Sequence, residues 1–244
     1  MILNMSSKLV PGFEPHSLGN VFEDATVTAF FGHRGADREA LSLAFPDYVM
    51  SSLKQTHSNR VVSAATVIRS GDPVDADAQF TNEKRIALCI RTADCVPVLI
   101  HDRDSGLIAA AHAGWRGVAN GVILKTGQTL KEKGTSLQRA RAWIGPHIGV
   151  ASFEVGDDVA AQLELAFDAV RGFSGESTSI IRPSGAEKKH VDLLRIVRAQ
   201  LTSLGIGRER TMELSLDTVV SERHESFRRD RERGGRQVSF IALK

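Results

Sequence analysis

Hydrophobic and polar positions along this chain follow two periods, one typical of strands and one typical of helices. Short runs rich in β-branched and aliphatic residues, bounded by turn-forming residues, indicate strands. Strands are predicted at 27–31, 59–68, 86–90, 96–101, 107–112, 140–145, 212–216 and 237–243. At least eight strands imply either one large sheet or two stacked sheets.

Three other segments carry hydrophobic residues at helical spacing. The first predicted helix runs through 118–130 and ends before Gly134, and the second covers 155–170. The third lies within 191–205, where Asp192 suits an N-cap and a glycine follows the last hydrophobic position. This pattern gives Asp192 a structural role.

The predicted strands at 86–90, 96–101 and 107–112 follow each other too closely for helical crossovers, so we expect antiparallel pairing in the middle of the chain. This favours an α/β sandwich over a repeated βαβ unit. No internal repeat or linker interrupts the pattern. We therefore expect a single domain over 1–244, with an irregular N-terminal segment at 1–26.

Composition narrows the class of protein. The chain is 42% hydrophobic and 25% charged, which is ordinary for a globular protein. Its formal net charge of +2 provides no strong overall attraction to nucleic acid or to an anionic membrane. The longest apolar runs are shorter than the roughly 20 residues of a membrane-spanning helix. Two cysteines make no disulfide framework, and the N-terminus lacks the pattern of a secretory signal, so we expect a cytoplasmic protein.

Polar residues interrupt two neighbouring predicted strands. Asp94 and Cys95 precede the strand at 96–101, and His112 closes the strand at 107–112. Antiparallel neighbours bring these two ends to the same edge of a sheet. A cysteine beside a histidine there is compatible with a nucleophile and its base, with two metal ligands, or with a small buried thiol beside a core imidazole.

His57 is a third candidate, because it comes two residues before the predicted strand at 59–68. The positions 57, 95 and 112 match no local zinc-finger spacing. The residues alone therefore do not assign a metal to them.

Several stretches carry a resemblance to a known family. They are "QTHSNRVV", "DADAQFT", "RTADCVPVLI", "AAAHAGWRG", "IGPHIG", "SFEVG" and "ESFRRDRERGGRQVSFIAL". In this order and spacing they resemble the YfiH/YlmD-like family, long labelled polyphenol oxidases or laccase-domain proteins, from about Val27 to the end of the chain. The resemblance implies an α/β/β/α sandwich with mixed, largely antiparallel sheets, related to the CNF1/YfiH-like cysteine hydrolases.

The resemblance also implies a metal site. One Zn²⁺ per chain would be held by His57, Cys95 and His112, which would also be the catalytic residues, and three ligands leave a fourth position open. Asp94 is expected either to orient a ligand or to serve in a turn. Copper would enter this site only as an adventitious metal.

The implied activity is that of a purine nucleoside phosphorylase acting on adenosine, inosine and methylthioadenosine, with adenosine deamination beside it. The partners would be a purine nucleoside and phosphate, without nucleic acid or membrane, in a monomer or homodimer. Phosphate requires cationic donors, for which Arg34, Arg116 and Arg228 are candidates. The chain departs from the family at Asp217, where many relatives have cysteine, and at His147, where some do.

Other functions remain open from the sequence. The eight histidines include no H-x-H pair, which disfavours a laccase-like multicopper oxidase. A cysteine hydrolase with Cys95 as nucleophile and His112 as base, cutting an amide of a cell-wall precursor, is one alternative. A metal-binding interaction protein without turnover is another. The arginine-rich run at 228–236 contains acidic residues and is interpreted as solvated surface rather than an RNA-binding patch.

Overall fold

The computed structural model describes residues 12–175, 178–184 and 188–244. The strands are β1 (Glu14–His16), β2 (Gly19–Glu23), β3 (Val27–Gly32), β4 (Val49–Ser52), β5 (Val61–Ser63), β6 (Ala78–Thr81), β7 (Ile86–Thr92), β8 (Val96–Asp102), β9 (Leu107–Ala113), β10 (Arg141–Ile144), β11 (Glu154–Gly156), β12 (Ile181–Pro183), β13 (Lys188–Val191), β14 (Thr211–Glu213) and β15 (Gln237–Leu243).

The helices lie mainly between and after the central strands. They are α1 (Arg38–Ala44), α2 (Ala64–Ser70), α3 (Trp115–Ala119), α4 (Val122–Glu132), α5 (Asp157–Asp168), α6 (Arg171–Ser174), α7 (Leu193–Leu204) and α8 (Phe227–Asp230), with single 3₁₀ turns at Arg208–Arg210 and Arg231–Arg233. None of the helices in the described part of the chain is both long enough and apolar enough to cross a membrane.

Two six-stranded sheets form the centre of the described fold. One has the strand order β1-β2-β3-β15-β7-β4 and the other β14-β10-β8-β9-β6-β5, while β11, β13 and β12 form a small separate sheet. Most neighbours are antiparallel, and the parallel pairs are β4–β7, β5–β6 and β10–β14. The sheets are therefore mixed and largely antiparallel, as expected.

The two large sheets pack face to face. Phe31 and Leu88 of the first sheet share a buried cluster with Leu99 and Trp143 of the second. Since helices cover the outer face of the second sheet, both faces of its central strands are buried. This explains why β8 reads as a nearly continuous apolar run rather than an alternating one.

Helices cover the outer faces of the sandwich. Val98 of β8 packs in one cluster with Ile123 of α4 and Ile196 of α7. On the opposite side, Phe240 of β15 shares a cluster with Leu41 of α1. The layer order is helix, sheet, sheet, helix, and the predicted α/β/β/α sandwich is confirmed.

Six of the predicted strands correspond to β3, β7, β8, β9, β10 and β15. The third predicted helix is α7, in which Asp192 accepts a hydrogen bond from the backbone N–H of Arg195 at 3.1 Å and Gly205 ends the helix at φ +101°. The expectation for this helix is confirmed, including its N-cap and its terminal glycine.

Four predicted elements are wrong in part. The strand predicted at 212–216 is only β14, which ends at Glu213. Residues 59–68 form only the short strand β5, because the side chain of Ser63 accepts a hydrogen bond from Thr66 N–H and starts α2. The helix predicted at 118–130 is two helices, interrupted at Gly121, where φ is +74°. Strands β1 and β2 lie in the segment predicted to be irregular, while residues 1–11 lie outside the described part.

The central hairpin decides the position of the site. β8 and β9 pair antiparallel, with Pro97 opposite His112 and Val96 opposite Ala113. The predicted pairing is confirmed for these two strands, but β7 belongs to the other sheet. The short connection from β7 to β8 therefore crosses between sheets, and Asp94 within it adopts φ +86°.

Candidate metal centre

Cys95 and His112 meet because of the β8–β9 register. Cys95 immediately precedes β8, and His112 lies opposite Pro97 near the end of β9. Their side chains therefore lie at the same edge of the second sheet, where the β7–β8 connection passes. Cys95 is partly buried, and His112 is 4% exposed.

His57 is brought to this edge by the fully buried carboxylate of Asp77. The backbone N–H of His57 donates to Asp77 Oδ1 at 3.0 Å, and Ser58 donates to Oδ2 through its backbone N–H and its hydroxyl at 2.6 and 2.7 Å. These bonds hold His57 in a left-handed conformation with φ +60°. The loop before β5 is thus tied to the start of β6.

The same carboxylate contacts the second histidine. Asp77 precedes β6, which pairs with β9, and the Nδ1 atom of His112 lies 2.8 Å from Asp77 Oδ1. A carboxylate at Nδ1 favours the tautomer that carries its proton there. Nε2 of His112 is then left to face Cys95 and His57.

The three side chains form a candidate metal centre. Their ligand atoms all lie within 4.8 Å of one another, and His57 Nε2 is 3.9 Å from Cys95 Sγ. Among the described residues, this is the one group of three or more histidine, cysteine or acidic side chains with such an arrangement. Two imidazole nitrogens and a thiolate are a donor set that suits zinc, so these residues fit the implied metal.

Gly114 leaves room for this centre. A Cβ atom at this position would lie 2.7 Å from His57 Cδ2 and 3.0 Å from Cys95 Sγ. Both distances are shorter than van der Waals contact, so any side chain here would displace a ligand. Only glycine therefore fits at the third position of the "HAGWRG" stretch without displacing a ligand.

The pKa values of the two groups from the hairpin shift in opposite directions and exchange their order. Burial alone would raise the pKa of the Cys95 thiol, but His112 and His57 outweigh it and lower the pKa to about 6. For His112, burial would lower the pKa, but the Cys95 thiolate and Asp77 raise it to about 9. Cys95 is therefore a thiolate at neutral pH, which is the form that binds a metal or attacks an electrophile.

The centre lies in a cleft of about 1060 Å³. Aromatic and cationic side chains line it together: the guanidinium of Arg116 lies 4.4 Å from the centroid of the Trp115 ring, and that of Arg228 lies 5.8 Å from Phe153. Aromatic rings suit a flat heterocycle, and arginines suit phosphate. The cleft can therefore hold an aromatic and an anionic group beside the metal ligands.

Comparison with known proteins now identifies the family. The model of the family described as multi-copper polyphenol oxidoreductase laccase matches residues 33–244. The chain belongs to this laccase-domain family. The resemblance to the YfiH/YlmD-like proteins, which the sequence motifs carried, is confirmed.

Relatives of the laccase-domain chain include proteins named purine nucleoside phosphorylase or adenosine deaminase. A purine nucleoside phosphorylase from Deinococcus radiodurans is 32% identical over 84% of this chain and 75% of that protein. One from Bacteroides thetaiotaomicron is 43% identical over 53% of this chain, and the match spans 46% of the Bacteroides protein. The adenosine deaminase RL5, from an unknown prokaryotic organism, is 31% identical over 68% of this chain and 63% of that protein.

The fold of the laccase-domain chain also has a solved counterpart. The crystal structure of the hypothetical protein YfiH from Bacillus licheniformis superposes with a TM-score of 0.81 and 24% identity, covering 96% of this chain and 100% of that chain. At 24% identity, this similarity supports a shared fold and no more.

Two of the three arginines predicted to bind phosphate in this laccase-domain chain lie in the cleft, and the third does not. Arg116 and Arg228 line the cleft. Arg34 does not; its guanidinium pairs with Glu225 at 3.3 Å and Asp230 at 2.9 Å outside the cleft wall. Arg34 is therefore placed to stabilise the C-terminal segment rather than to meet a substrate.

Asp94 lines the cleft but contacts no metal ligand among the described residues. Its Oδ1 accepts a hydrogen bond from the Thr218 hydroxyl at 2.7 Å, and its Oδ2 accepts one from the backbone N–H of Arg228 at 2.6 Å. Asp94 thus attaches the segment that carries Arg228 to the turn before Cys95. Of the two roles expected for Asp94, the contacts favour the one in the turn, and Asp77 is the carboxylate that orients a ligand.

The sequence motifs did not indicate Asp77 or three cleft arginines, Arg91, Arg231 and Arg236. An acidic residue next to a buried strand in "DADAQFT" was the available signal for Asp77. The three arginines had no such signal, because exposed arginines are common, and the run that contains Arg231 and Arg236 was interpreted as solvated surface.

The two departures from the family lie side by side. His147 and Asp217 form an isolated bridge, and neither lines the cleft. Asp217 Oδ2 accepts a hydrogen bond from the Ser152 hydroxyl at 2.6 Å, and a Cβ on Gly149 would lie 2.7 Å from the same oxygen. Asp217 therefore links the C-terminal segment to the loop before β11.

Proposed function

We propose that this protein is a zinc-dependent purine nucleoside phosphorylase that acts on adenosine, inosine and methylthioadenosine, with a weaker adenosine deaminase activity. The observation that carries the proposal is the juxtaposition of His57, Cys95 and His112 in a cleft that also holds Arg116 and Arg228. The names of the relatives support the purine nucleoside as substrate.

Zinc would be held by His57 Nε2, Cys95 Sγ and His112 Nε2. Three such ligands leave one coordination position for substrate, and the bound ion would supply a Lewis acid there. Asp77 supports this arrangement by holding both histidines, one through its Nδ1 and the other through its backbone N–H. The same contacts keep His112 in the tautomer that leaves Nε2 free for the metal.

The arginines would hold the phosphate that attacks the ribose. Arg228 is fixed by a bond from its Nη1 to the carbonyl of Glu154 at 2.8 Å, and by the bond from its backbone N–H to Asp94. Arg116 lies against Trp115. Guanidinium groups fixed before substrate binds lose less entropy when they bind phosphate, and they stabilise charge as the glycosidic bond breaks.

A cysteine hydrolase is the second candidate, and one observation favours it. Cys95, His112 and Asp77 are arranged in line, with His112 between the thiol and the carboxylate. This is the order of nucleophile, base and orienting acid in cysteine hydrolases. The amide of a cell-wall precursor remains the proposed substrate for that reaction.

The primary test combines metal analysis with turnover. Purified protein should contain about one zinc and no stoichiometric copper per chain, and should release purine base from adenosine or inosine only when phosphate is present. Removal of the metal with a chelator should abolish turnover, and zinc should restore it. Several coppers per chain, or base release that does not depend on phosphate, would contradict the proposal.

Histidine variants separate ligands from structural residues. His57→Ala should lose zinc and activity together, because His57 supplies one of three ligands. His147→Ala and His101→Ala are matched controls, since both histidines are buried but neither belongs to the centre. Both controls should keep the metal, and an active, zinc-loaded His57→Ala protein would refute the ligand assignment.

Cys95 separates the two candidate functions. A zinc-bound thiolate should resist alkylation until a chelator is added, whereas a hydrolytic nucleophile should be alkylated at once and without metal. Cys95→His should keep some zinc and some nucleoside turnover, because imidazole also binds zinc, but it would abolish covalent catalysis. A trapped acyl-enzyme on Cys95 would favour the hydrolase.

A further inference from the structure

The cleft carries more positive charge than a phosphorolysis of neutral nucleosides needs. Five arginines line it: Arg91, Arg116, Arg228, Arg231 and Arg236. A sixth cation, Lys188, is neutralised by Glu154 at 2.9 Å. The one other acidic residue in the lining, Asp94, already accepts two hydrogen bonds. Two arginines near the metal centre suffice for one inorganic phosphate, so three remain.

Two of these remaining arginines, Arg91 and Arg236, differ from Arg229, which lies outside the cleft lining. Arg229 pairs with Asp230, and Asp230 also pairs with Arg34, all outside the cleft lining. By contrast, neither Arg91 nor Arg236 forms an ion pair with any described residue. The charge of Arg229 is thus neutralised outside the cleft, whereas the charges of Arg91 and Arg236 in the cleft are uncompensated.

Arg91 and Arg236 lie next to each other at the ends of two paired strands. β7 and β15 are antiparallel, with Val238 opposite Arg91 and Gln237 opposite Thr92. Arg236, just before Gln237, is therefore the diagonal neighbour of Arg91, and diagonal neighbours are about 7–8 Å apart. Arginine side chains are long enough to converge from backbone positions at this spacing and to bind one anion between them.

Both arginines are fixed in place without an acidic partner. The side-chain amide of Gln55 binds the backbone of Arg91 twice, accepting from its N–H at 2.8 Å and donating to its carbonyl at 2.7 Å. Arg236 donates to the carbonyl of Gly235 at 2.7 Å, and its guanidinium lies 5.5 Å from the Phe227 ring. The contacts of Arg236 orient its guanidinium while leaving its charge available, and those of Gln55 fix the backbone from which the Arg91 side chain extends.

We propose that Arg91 and Arg236 form a second anion site in the cleft, and that the substrates include purine nucleosides that carry a 5′-phosphate. This inference rests on the proposed phosphorylase function and extends its substrate class. Gln55 lies two residues before His57, so the second site adjoins the metal centre. The 5′ carbon projects from the ribose away from C1′, so a phosphate there can reach a separate site while C1′ stays at the reaction centre.

The reaction at this site is balanced without a further reagent. The bond between C1′ and the purine N9 breaks, and the purine leaves with the bonding electron pair and takes up a proton. An oxygen of inorganic phosphate forms the new bond to C1′. A nucleoside monophosphate would therefore give free purine and ribose 1,5-bisphosphate, and the cleft would hold two phosphate groups at once.

The test compares adenosine with adenosine 5′-monophosphate on the metal-loaded protein, with base release measured at fixed inorganic phosphate. We expect kcat/KM to be at least tenfold higher for the monophosphate. Arg236→Ala and Arg91→Gln should each reduce this preference at least tenfold. Arg233→Ala is the matched control, because Arg233 belongs to the same run but lies outside the cleft lining, and it should keep the preference.

Equal or better turnover of adenosine would overturn the second site, as would a preference that survives both substitutions. If neither compound releases base, the proposed phosphorylase function fails, and calorimetric binding then decides the anion site by itself. Tighter binding of the monophosphate than of adenosine, lost in Arg236→Ala and kept in Arg233→Ala, would support the site. Equal binding of the two compounds would overturn it. Thermal unfolding of each variant verifies that it is folded.

Discussion

Replacing Asp77 with asparagine should damage both the stability of the protein and its affinity for metal. The carboxylate accepts five close hydrogen bonds, from Thr56 N–H at 3.1 Å, His57 N–H at 3.0 Å, Ser58 N–H at 2.6 Å, the Ser58 hydroxyl at 2.7 Å and His112 Nδ1 at 2.8 Å. Asparagine has nearly the same shape, but one of its two polar atoms donates instead of accepting. Donors that face the amide nitrogen lose their acceptor.

Either orientation of the amide leaves donors unpaired. If the nitrogen replaces Oδ2, the N–H groups of Thr56 and Ser58 lose their acceptor. If it replaces Oδ1, the N–H of His57 does, and His112 must move its proton from Nδ1 to Nε2, where it blocks metal binding. Each unsatisfied buried donor costs about 1–3 kcal/mol, so two of them should reduce the free energy of unfolding by roughly 2–6 kcal/mol. This is a large share of the 5–15 kcal/mol that is usual for a folded protein, to order of magnitude.

Urea unfolding of the metal-free protein measures the loss of stability, and competition with a chromophoric chelator measures metal affinity. We expect the affinity to fall by about 10- to 100-fold, which is usual when a carboxylate behind a histidine ligand is removed. The pKa of Asp77 is lowered, because its hydrogen bonds to His112 and Ser58 outweigh the effect of burial. Its stabilising effect is therefore present above about pH 4 and is lost as the pH falls through the lower folded-state value. An Asp77→Asn protein as stable as wild type, with unchanged metal affinity, would refute this reasoning.

Three further outcomes are expected. Gly114→Ala should lower metal affinity at least tenfold by chelator competition, because its Cβ would overlap two ligands, whereas Gly172→Ala, which meets no atom within 4 Å, should not. The guanidinium of Arg229 donates to four carbonyls in the segment 218–230. Arg229→Lys should therefore speed hydrogen exchange in this segment and should raise KM more than it lowers kcat. Unchanged exchange would contradict this expectation. In metal-free protein, alkylation of Cys95 should slow as the pH falls through about 6, since only the thiolate reacts; a midpoint near 8.5, the usual value for a free cysteine, would be contrary.

Local sequence patterns correctly predicted the elements whose hydrophobic pattern matches their burial and whose ends carry capping residues. β8, β9 and β15 are buried on both faces and read as apolar runs, and α7 carries its own N-cap and terminal glycine. Such signals act between neighbouring residues, so they are visible in the sequence. The segment 59–68 was mispredicted because β-branched residues lie on both sides of Ser63, where a strand ends and a helix begins.

Two of the three residues of the candidate centre follow from the sequence pattern alone. A short connection between two apolar runs requires a hairpin, and the hairpin brings Cys95 and His112 to one edge. His57 was a further candidate because of its position before a predicted strand, and the resemblance to the YfiH/YlmD-like family assigned it to the same metal site. The hairpin and the motifs did not indicate the function of Asp77.

The residues that surround this centre come together only in the folded chain. Asp77 reaches His57 and His112 because β6 pairs with β9 and because the loop before β5 folds over it. Arg91 and Arg236 become neighbours through the pairing of β7 with β15, although more than half of the chain lies between them. These contacts depend on strand register between distant segments, and register is set by burial of the complete sheets rather than by local preference.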